Sequence, residues 1–272
     1  MSGPLPNDLS PELLAELERQ EVRYLPTVET LQLKQTRMLA GFQRGGVPRR
    51  HWRHLEACNG RGCPNRVCSA ACWFGEPVAV LKLVAQAHDL LEETELPLWF
   101  ATVIDPRYAT PIGALKSLSL DGMQQGLRRR LRRVEGTWGP THAFGACEVS
   151  LEIERDGASY WGPHTHFAIA TRCPRAALKA AFMPAGALPA GARPVVLKQV
   201  TNLGNALSYS NKRAPAERIA IVGSRGTQDR DKRPVNWQAG LEHDTWLLGL
   251  QPTERLILRG FRRVHDRLVL LR

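Results

Sequence analysis

The alternation of apolar and polar side chains is most regular between residues 145 and 155. There the apolar side chains fall on one face of an extended strand, and the polar ones, including Glu148, Ser150 and Glu152, fall on the other. Asp156-Gly157 is a turn signal, and residues 164–170 again have a strand pattern. The pattern predicts an antiparallel hairpin with one polar face.

Apolar residues at helical spacing predict helices on either side of this hairpin. We place them at residues 7–45, where Asp8 or Ser10 would cap the first turn, and at 77–94, 123–134, 175–182 and 201–212. Short apolar runs at 98–104 and 195–197 predict further strands, and residues 256–271 suit a strand pair, with a helix as the alternative. Residues 223–236 are polar and turn-rich, which predicts a mobile loop.

Together these elements predict an α+β fold in which helices pack on a central antiparallel sheet. Residues 1–95 are expected to form a helical and cysteine-rich N-terminal region, and residues 96–215 the core. Residues 216–272 are expected to form a C-terminal extension, a loop plus strands, that packs on the core. The chain of 272 residues is long enough for this arrangement.

The charge balance narrows the class of partner. The formal net charge is +11, from 37 Lys and Arg against 26 Asp and Glu, which favours a polyanion such as nucleic acid. The sequence has no run of about 18 apolar residues, and its acidic N-terminus lacks the pattern of a secretory signal. We therefore expect a cytoplasmic protein without a membrane partner, in which disulfides are not expected.

One predicted helix has a strongly basic face. Within residues 123–134 an apolar stripe at helical spacing leaves the other positions to Arg128, Arg129, Arg130, Arg132 and Arg133. Because no acidic residue interrupts these arginines, they are predicted to contact DNA phosphates. A solvated face without a partner is the alternative.

A cysteine cluster lies ahead of the predicted core. It consists of Cys58, Cys63, Cys68 and Cys72. Four thiols so close together predict a structural Zn²⁺ site, for which His51 and His54 are reserve ligands. A set of reduced, partly buried thiols is the alternative. Cys147 and Cys173, at strand ends, are predicted to be core residues.

Two histidines stand on the polar face of the hairpin. His164 and His166 are two residues apart on a strand, so both side chains point to one side of the sheet. With the turn at Gly157, Glu148 would lie opposite His166; a two-residue shift would instead set Glu152 opposite His164. Two imidazoles and a carboxylate are a donor set for one divalent metal ion with open coordination positions.

A tyrosine and a lysine follow on a predicted helix. Asn205, Tyr209 and Lys212 share one face at i, i+4 and i+7. Tyrosine is a weak nucleophile near neutral pH because its pKa is about 10. A nearby ammonium group and metal ion would favour the phenolate in a transition state. A surface tyrosine that covers apolar neighbours is the alternative.

Three segments of the chain resemble motifs of the HUH endonucleases, in particular the rolling-circle replication initiators of plasmids and phages. The segment 99–103 resembles the first motif, an apolar strand with a threonine, and 163–167, which contains the histidine pair, resembles the second. The segment from Tyr209 to Lys212 resembles the third. The resemblance covers about residues 98–213 and implies an HUH core, which is a ferredoxin-like or RRM-like sheet.

The resemblance also implies a mechanism. Mg²⁺ or Mn²⁺ would be held by His164, His166 and Glu148, and Tyr209 would attack a phosphate of single-stranded or origin DNA. A 5′-phosphotyrosine link would form and a free 3′-OH would be released, with Lys212 orienting the phosphate. A host helicase would be a further partner.

The chain departs from the family pattern at two points. Thr165 stands between the histidines in place of a large apolar residue, and Asn205 stands where some members have a second tyrosine. No glutamate lies within 200–212 to activate water for the closing step. The alternatives to a replication initiator are an HUH transposase or mobilisation relaxase, and a non-catalytic, zinc-containing DNA-binding protein.

Overall fold

The computed structural model describes residues 10–22, 25, 27–58, 68–185, 193–210, 212–222, 228–264 and 267–271. The helices in these ranges are α1 (Pro11–Arg19), α2 (Val28–Arg44), α3 (Arg53–Glu56), α4 (Gly75–Glu92), α5 (Leu120–Trp138), α6 (Arg175–Phe182), α7 (Leu203–Ser210) and α8 (Trp237–Leu248). The strands are β1 (Leu98–Ile104), β2 (Thr110–Pro111), β3 (Thr141–Ile153), β4 (Ser159–Thr171), β5 (Val195–Gln199), β6 (Ala216–Val222), β7 (Gln228–Pro234), β8 (Leu256–Arg259), β9 (Phe261–Val264) and β10 (Arg267–Leu270). Short 3₁₀ turns lie at Arg49–His51, Pro106–Tyr108 and Leu115–Ser117.

One large sheet organises the molecule. Its strands follow the hydrogen-bonded order β5-β1-β4-β3-β6-β7, and β2 and β8 add to β4 and β3. Most neighbours are antiparallel, including the long β3–β4 hairpin, whereas β3 and β6 run parallel. The predicted α+β fold is confirmed, with a mixed sheet and helices packed on it.

Helices cover both faces of the sheet. On one face, Cys147 and Val149 of β3 pack in an apolar cluster with Leu127 of α5, together with residues of α2, α6 and α8. On the other face, Phe144 of β3 and Ala168 of β4 pack in a second cluster with residues of α4 and α7. Because side chains alternate along a strand, the polar residues at even positions of β3 and β4 share the α4–α7 face.

The local patterns predicted many elements correctly. The strand at 98–104 and the helix at 175–182 have the predicted bounds. Ser10 caps α1, because its side chain accepts a hydrogen bond from the Leu13 N–H at 3.3 Å. The predicted helical region 7–45 is divided into α1 and α2, and residues 256–271 contain three short strands, of which β9 and β10 form a hairpin.

The register of the β3–β4 hairpin differs from both predicted registers. Glu148 lies opposite His164, and Ala146 lies opposite His166. The difference arises at the turn, where the Glu154 N–H donates to the Ala158 carbonyl at 2.8 Å and Gly157 adopts a φ of +84°. The turn is thus centred one residue earlier than predicted. The shift is an even number of residues, so the face assignment is unchanged.

The prediction of a mobile loop at 223–236 is wrong for residues 228–234, which form strand β7. β7 pairs antiparallel with β6 at the end of the strand order. Charged residues are common on edge strands, where one side of the backbone has no strand neighbour, so composition alone resembled a loop. Residues 223–227 lie outside the described residues.

The basic helix α5 does not present all of its predicted DNA contacts. Arg130 is buried, and its guanidinium lies 2.9 Å from the Asp105 carboxylate and 3.2 Å from the Phe182 carbonyl. The prediction that Arg130 contacts DNA is therefore wrong, because this side chain holds α5 to the loop after β1. Arg129, Arg132 and Arg133 are exposed.

Among the described residues, none of the helices has the length and apolar character needed to span a bilayer.

Candidate active site

The histidine pair lies at the centre of the sheet on the α4–α7 face. The rings of His164 and His166 stack nearly parallel, with centroids 6.0 Å apart and an interplanar angle of 6°. The hydroxyl of Thr102, directly opposite His166 on β1, lies 2.9 Å from His166 Nδ1. Since Nδ1 is engaged by Thr102, Nε2 is the nitrogen of His166 that remains directed toward other groups.

His164 belongs to a tight polar network. Its Nε2 lies 2.5 Å from Ser150 Oγ and 3.1 Å from Glu152 Oε1, and the Ser150 hydroxyl donates to Glu152 at 2.7 Å. Burial raises the pKa of Glu152, but its hydrogen bonds with His164 and Ser150 and the nearby charge of Arg218 outweigh burial and lower it. Glu152 is therefore an ionised carboxylate that orients the His164 ring.

Glu148 is the carboxylate nearest to His166. Its Oε2 lies 4.0 Å from His166 Nε2, while its Oε1 is buried and has no hydrogen-bond partner among the described residues. Burial raises the pKa of Glu148 to about 8, although Arg255 and Lys212 act in the opposite direction. A buried carboxylate without a full set of partners is costly, and a bound cation would compensate for that cost.

Both imidazoles are neutral in this environment. Burial, together with the charges of Arg218 and Lys232, lowers the pKa of His166 to about 3. Burial also lowers the pKa of His164, in spite of the opposing hydrogen bond with Glu152. Neutral imidazole is the form that binds metal ions.

Sequence reasoning missed the cations on β6 and β7. Arg218 lies beside Glu152 in the parallel β3–β6 register and opposite Lys232 of β7. Its Nη1 is 3.2 Å from His164 Nε2, and its buried Nε has no hydrogen-bond partner among the described residues. Burial, followed by the charges of Arg218 and Lys212, lowers the pKa of Lys232. The signal in the sequence is the alternation of the basic residues Arg230 and Lys232, within a segment whose turn-rich composition predicts a loop.

Helix α7 brings Tyr209 to the histidines. Leu203 and Leu207 are buried in the cluster beneath α7, as predicted. The Tyr209 ring then stands edge-on to His166, with centroids 5.6 Å apart and an interplanar angle of 83°. It makes a similar contact with Phe100, with centroids 5.9 Å apart. The second and third motifs, distant in the sequence, thus meet in space.

Lys212 follows the end of α7. Its backbone N–H donates to the Tyr209 carbonyl at 3.2 Å, and its side chain is exposed. The positive charge of Lys212 acts to lower the pKa of both Glu148 and His166. The predicted helix to residue 212 ends at Ser210.

The chemistry of the donor set fits a divalent ion. Two neutral imidazoles and the partly unpartnered carboxylate of Glu148 lie on the same face of the sheet, and such nitrogen and oxygen donors suit Mn²⁺, with Mg²⁺ favouring the oxygens. Their ligand atoms do not all come within 4.8 Å of one another. The donors form two pairs here, because His164 is engaged by Glu152 while His166 faces Glu148. Elsewhere, on α4, His88, Asp89 and Glu92 bring three ligand atoms within 4.8 Å of one another, and the two carboxylates are about half exposed.

The predicted DNA-binding helix does not border this site. α5 packs on the opposite face of the sheet, so the exposed Arg129, Arg132 and Arg133 are separated from the histidines by the sheet itself. Arg128 is partly buried, 3.4 Å from Gln124 Oε1. The role of these four arginines in binding DNA stays a prediction, and it would concern DNA outside the histidine face.

The predicted zinc ligands lie beside α4. Cys58, Cys68 and Cys72 are described, and Cys63 lies outside the described residues. The Sγ atoms of Cys58 and Cys72 are 3.3 Å apart. Cys147 and Cys173 are buried core residues, as predicted, but Cys147 lies in the middle of β3 and not at a strand end.

Comparisons with protein-family models, curated proteins and solved structures gave no match to this chain. The function is therefore argued from the residues of the site.

Proposed function

We propose that this protein is a metal-dependent endonuclease and strand transferase that nicks and rejoins single-stranded DNA, with Tyr209 as the nucleophile. The observation that carries the proposal is the edge-on contact of Tyr209 with His166, with ring centroids 5.6 Å apart. A structural tyrosine has no need of a neutral histidine pair with a buried carboxylate beside it. A nucleophile that attacks a phosphate does need groups of this kind close by.

The proposed reaction is an exchange of phosphate esters. A bond forms between Tyr209 Oη and phosphorus, and the bond between phosphorus and the 3′ oxygen breaks. The phenol loses a proton and the leaving 3′ oxygen gains one, so the step needs no oxidant or reductant. The product is a 5′-phosphotyrosine and a free 3′-OH, and the reverse attack by a 3′-OH rejoins the strand.

The residues of the site have separate tasks in this proposal. His164, His166 and Glu148 would hold Mg²⁺ or Mn²⁺, and Glu152 would keep the His164 ring in place. When bound, the ion supplies Lewis-acid stabilisation of charge at the phosphate. Thr102 fixes the His166 ring through the 2.9 Å contact at Nδ1. Such second partners of a ligating histidine set its orientation and tautomer.

The cations around the histidines suit a phosphate. Lys212 is exposed next to Tyr209, and Arg218 and Lys232 lie side by side on the same face of the sheet. Burial and mutual repulsion lower the pKa of Lys232, so an anion that enters would relieve unfavourable contacts among like charges. The scissile phosphate would bind between this group and Tyr209.

A covalent adduct assay tests the proposal. Single-stranded oligonucleotides that tile the replicon encoding the protein, and a random-sequence pool, would be incubated with protein and Mn²⁺ or Mg²⁺. We expect a denaturant-resistant protein–DNA adduct that disappears on chelation of the metal. Tyr209→Phe should form no adduct because it lacks the attacking oxygen.

Tyr108→Phe is the matched control. Tyr108 donates a hydrogen bond to the Gly122 carbonyl at 2.9 Å and packs in the cluster on the other face of the sheet. This variant should form the adduct as wild type does. An adduct that persists in Tyr209→Phe would show that the nucleophile is another residue, and no adduct in wild type would reject the nicking activity.

Initiation of rolling-circle replication is the biological role that we propose for this chemistry. The free 3′-OH would prime synthesis while a host helicase unwinds the duplex. A replicon that carries the gene should then fail to replicate when the gene encodes Tyr209→Phe. Replication that continues, with loss of transposition or of conjugal mobilisation, would assign the chemistry to a transposase or relaxase instead.

A second candidate, a DNA-binding protein without catalysis, is favoured by one observation. His164 Nε2 is already engaged by Ser150 at 2.5 Å and by Glu152 at 3.1 Å, as in a structural polar network. If the site is catalytic, His164→Ala and His166→Ala should abolish adduct formation while most single-stranded DNA binding remains. Equal loss of binding and folding would identify the pair as structural.

A further inference from the structure

Two cysteine sulfurs are in contact at the start of α4 and a third lies near them, although the three do not all come within 4.8 Å of one another. Cys72 Sγ lies 3.3 Å from Cys58 Sγ. Cys68 Sγ and Cys72 Sγ both border the space above Gly75, where an added Cβ would come within 2.9 Å of the first and 3.5 Å of the second. Cys58 and Cys72 are buried. Residues from both sides of the segment 59–67 are thus brought close together.

The contact between Cys58 and Cys72 fits two thiolates on one metal ion better than it fits a disulfide. A disulfide needs sulfurs about 2.05 Å apart, whereas two thiolates on a tetrahedral zinc, each at about 2.3 Å, lie about 3.8 Å apart. The observed 3.3 Å is nearer to the second value. A disulfide would also leave Cys68 without a role. The Gly75 N–H donates to Cys72 Sγ at 3.1 Å, a contact of the kind that supports a metal-bound ligand.

The turn that carries these sulfurs also holds the chain after Tyr209. Arg213 is buried, and its guanidinium donates to the carbonyls of Cys72, at 2.8 Å, and Ala71. The same guanidinium lies over the Trp73 ring, 3.9 Å from its centroid. Arg213 directly follows Lys212. The turn 71–73 therefore fixes the position of Arg213, and through Arg213 the chain that follows Tyr209.

The turn is itself tied to α2. The Trp73 N–H donates to the Gln35 side chain at 3.0 Å, and Gln35 donates in turn to the Leu55 carbonyl at 2.9 Å. These bonds hold one side of the turn 71–73. The sulfurs of Cys58, Cys68 and Cys72 are the groups available to hold the other side.

We propose that Cys58, Cys68 and Cys72 bind one Zn²⁺ ion, and that this ion fixes the turn on which Arg213 is seated and thereby the position of Tyr209. The ion is structural, and it needs a fourth ligand besides these three cysteines. Zinc binding does not depend on the proposed nicking activity. The effect on Tyr209 chemistry does rest on that activity.

Metal content tests the site. Protein purified without chelator should contain about one zinc per chain by mass spectrometry of the metals. Cys68→Ser and Cys72→Ser should lose most of it, whereas the control Cys173→Ser, at a buried cysteine outside the cluster, should retain it. No zinc in wild type, full zinc in Cys68→Ser, or a Cys58–Cys72 disulfide found by alkylation and peptide mapping would overturn the proposal.

Cobalt substitution keeps the test valid if a cysteine variant does not fold. Wild-type protein loaded with Co²⁺ in place of zinc should show the intense visible absorption of tetrahedral cobalt and the near-ultraviolet charge-transfer band of cobalt thiolates. Absorption typical of six-coordinate cobalt, without the thiolate band, would contradict a site built from the three cysteines.

Hydrogen exchange tests the link to Tyr209 without using activity. In Cys68→Ser the amides of α7 should exchange about tenfold faster than in wild type, while those of α5, on the other face of the sheet, should not change. Unchanged exchange in α7, with the zinc lost, would reject the positioning role even if nicking is demonstrated.

Arg213→Lys separates positioning from metal binding. The variant keeps the charge but loses the paired donation to two carbonyls. We expect full zinc content and nearly unchanged single-stranded DNA affinity, with a rate of adduct formation reduced about tenfold or more. Loss of zinc in this variant, or a wild-type rate with zinc intact, would contradict the proposed link.

Discussion

At the scale of the residue, the carboxylates of the site are distinguished by their surroundings. Glu152 is held ionised by its contacts with His164 and Arg218, which outweigh its burial. Burial raises the pKa of Glu148 to about 8, and one of its oxygens lacks a partner among the described residues. Two carboxylates on one strand therefore have different tasks, one orienting a histidine and the other open to a cation.

The pairing of residues within the site could be predicted only in part. The two-residue period of a strand placed both histidines and Glu148 on one face. The contacts between these groups depend on the position of the turn and on the orientation of the side chains. A single glycine with positive φ sets the position of the turn. Glu148 is opposite His164 in register yet nearest to His166 by its carboxylate.

Arg218 provides a prediction at this scale. Arg218→Ala should lower the rate of adduct formation about 10²-fold, because a buried donor beside the reacting phosphate is lost. Arg129→Ala, which removes an exposed arginine on the opposite face of the sheet, should leave the rate unchanged. Single-turnover kinetics at saturating DNA measure both. If both substitutions lowered the rate of adduct formation equally, the effect of Arg218 would come from general electrostatic attraction of DNA and not from contact with the reacting phosphate.

At the scale of the element, the periodicity of apolar residues predicted the positions of helices and strands well where one face of the element is buried. β1 and α6 have the predicted bounds because their apolar runs end at residues that do not continue the element. Helix α8 was not predicted, although Asn236 caps it and Ala239, His243 and Trp246 are buried at helical spacing. β7 was missed because a charged edge strand has the composition of a loop.

Helix α5 shows how a buried charge can be mistaken for a binding residue. Arg130→Ala would leave the carboxylate of Asp105, itself mostly buried, with less compensation, and should lower the free energy of unfolding by about 3 kcal/mol. Arg129→Ala should change it by no more than about 0.5 kcal/mol. Denaturant titration measures both values. Similar small changes would contradict the assignment of Arg130 to the fold.

Helix α8 supplies a prediction about pH. His243 is buried between Trp161 and Trp246, and burial lowers its pKa in spite of Asp244. The unfolded chain therefore takes up a proton near the ordinary histidine pKa, about 6.5, while the folded protein does not. The stability from neutral His243 is present above that pH and is lost as pH falls toward the lowered folded pKa.

The measurement is the free energy of unfolding of wild type and His243→Gln between neutral and mildly acidic pH. The variant should lose stability less steeply below pH 6.5, by up to about 1.4 kcal/mol per pH unit. His51→Gln, at an exposed histidine, is the control and should follow the wild type. Parallel curves for wild type and His243→Gln would reject this account.

At the scale of the whole molecule, the sheet separates two basic surfaces. One contains Arg218, Lys232 and Lys212 around the histidines, and the other contains the exposed arginines of α5. The net charge of +11 predicted a polyanionic partner but could not assign DNA to either surface, because the sequence does not specify which helix covers which face. In the proposed function the strand to be cut lies on the histidine face.

The polarity of the covalent adduct tests the central claim most directly. A single-stranded oligonucleotide that yields the adduct would be labelled at its 5′ end in one sample and at its 3′ end in another, and the adduct would be digested for peptide mapping. We predict that only the 3′ label stays with the protein, on a peptide modified at Tyr209, while the 5′-labelled fragment is released with a free 3′-OH. A 5′ label on the protein, a link to any other residue, or cleavage without a covalent link would contradict the account.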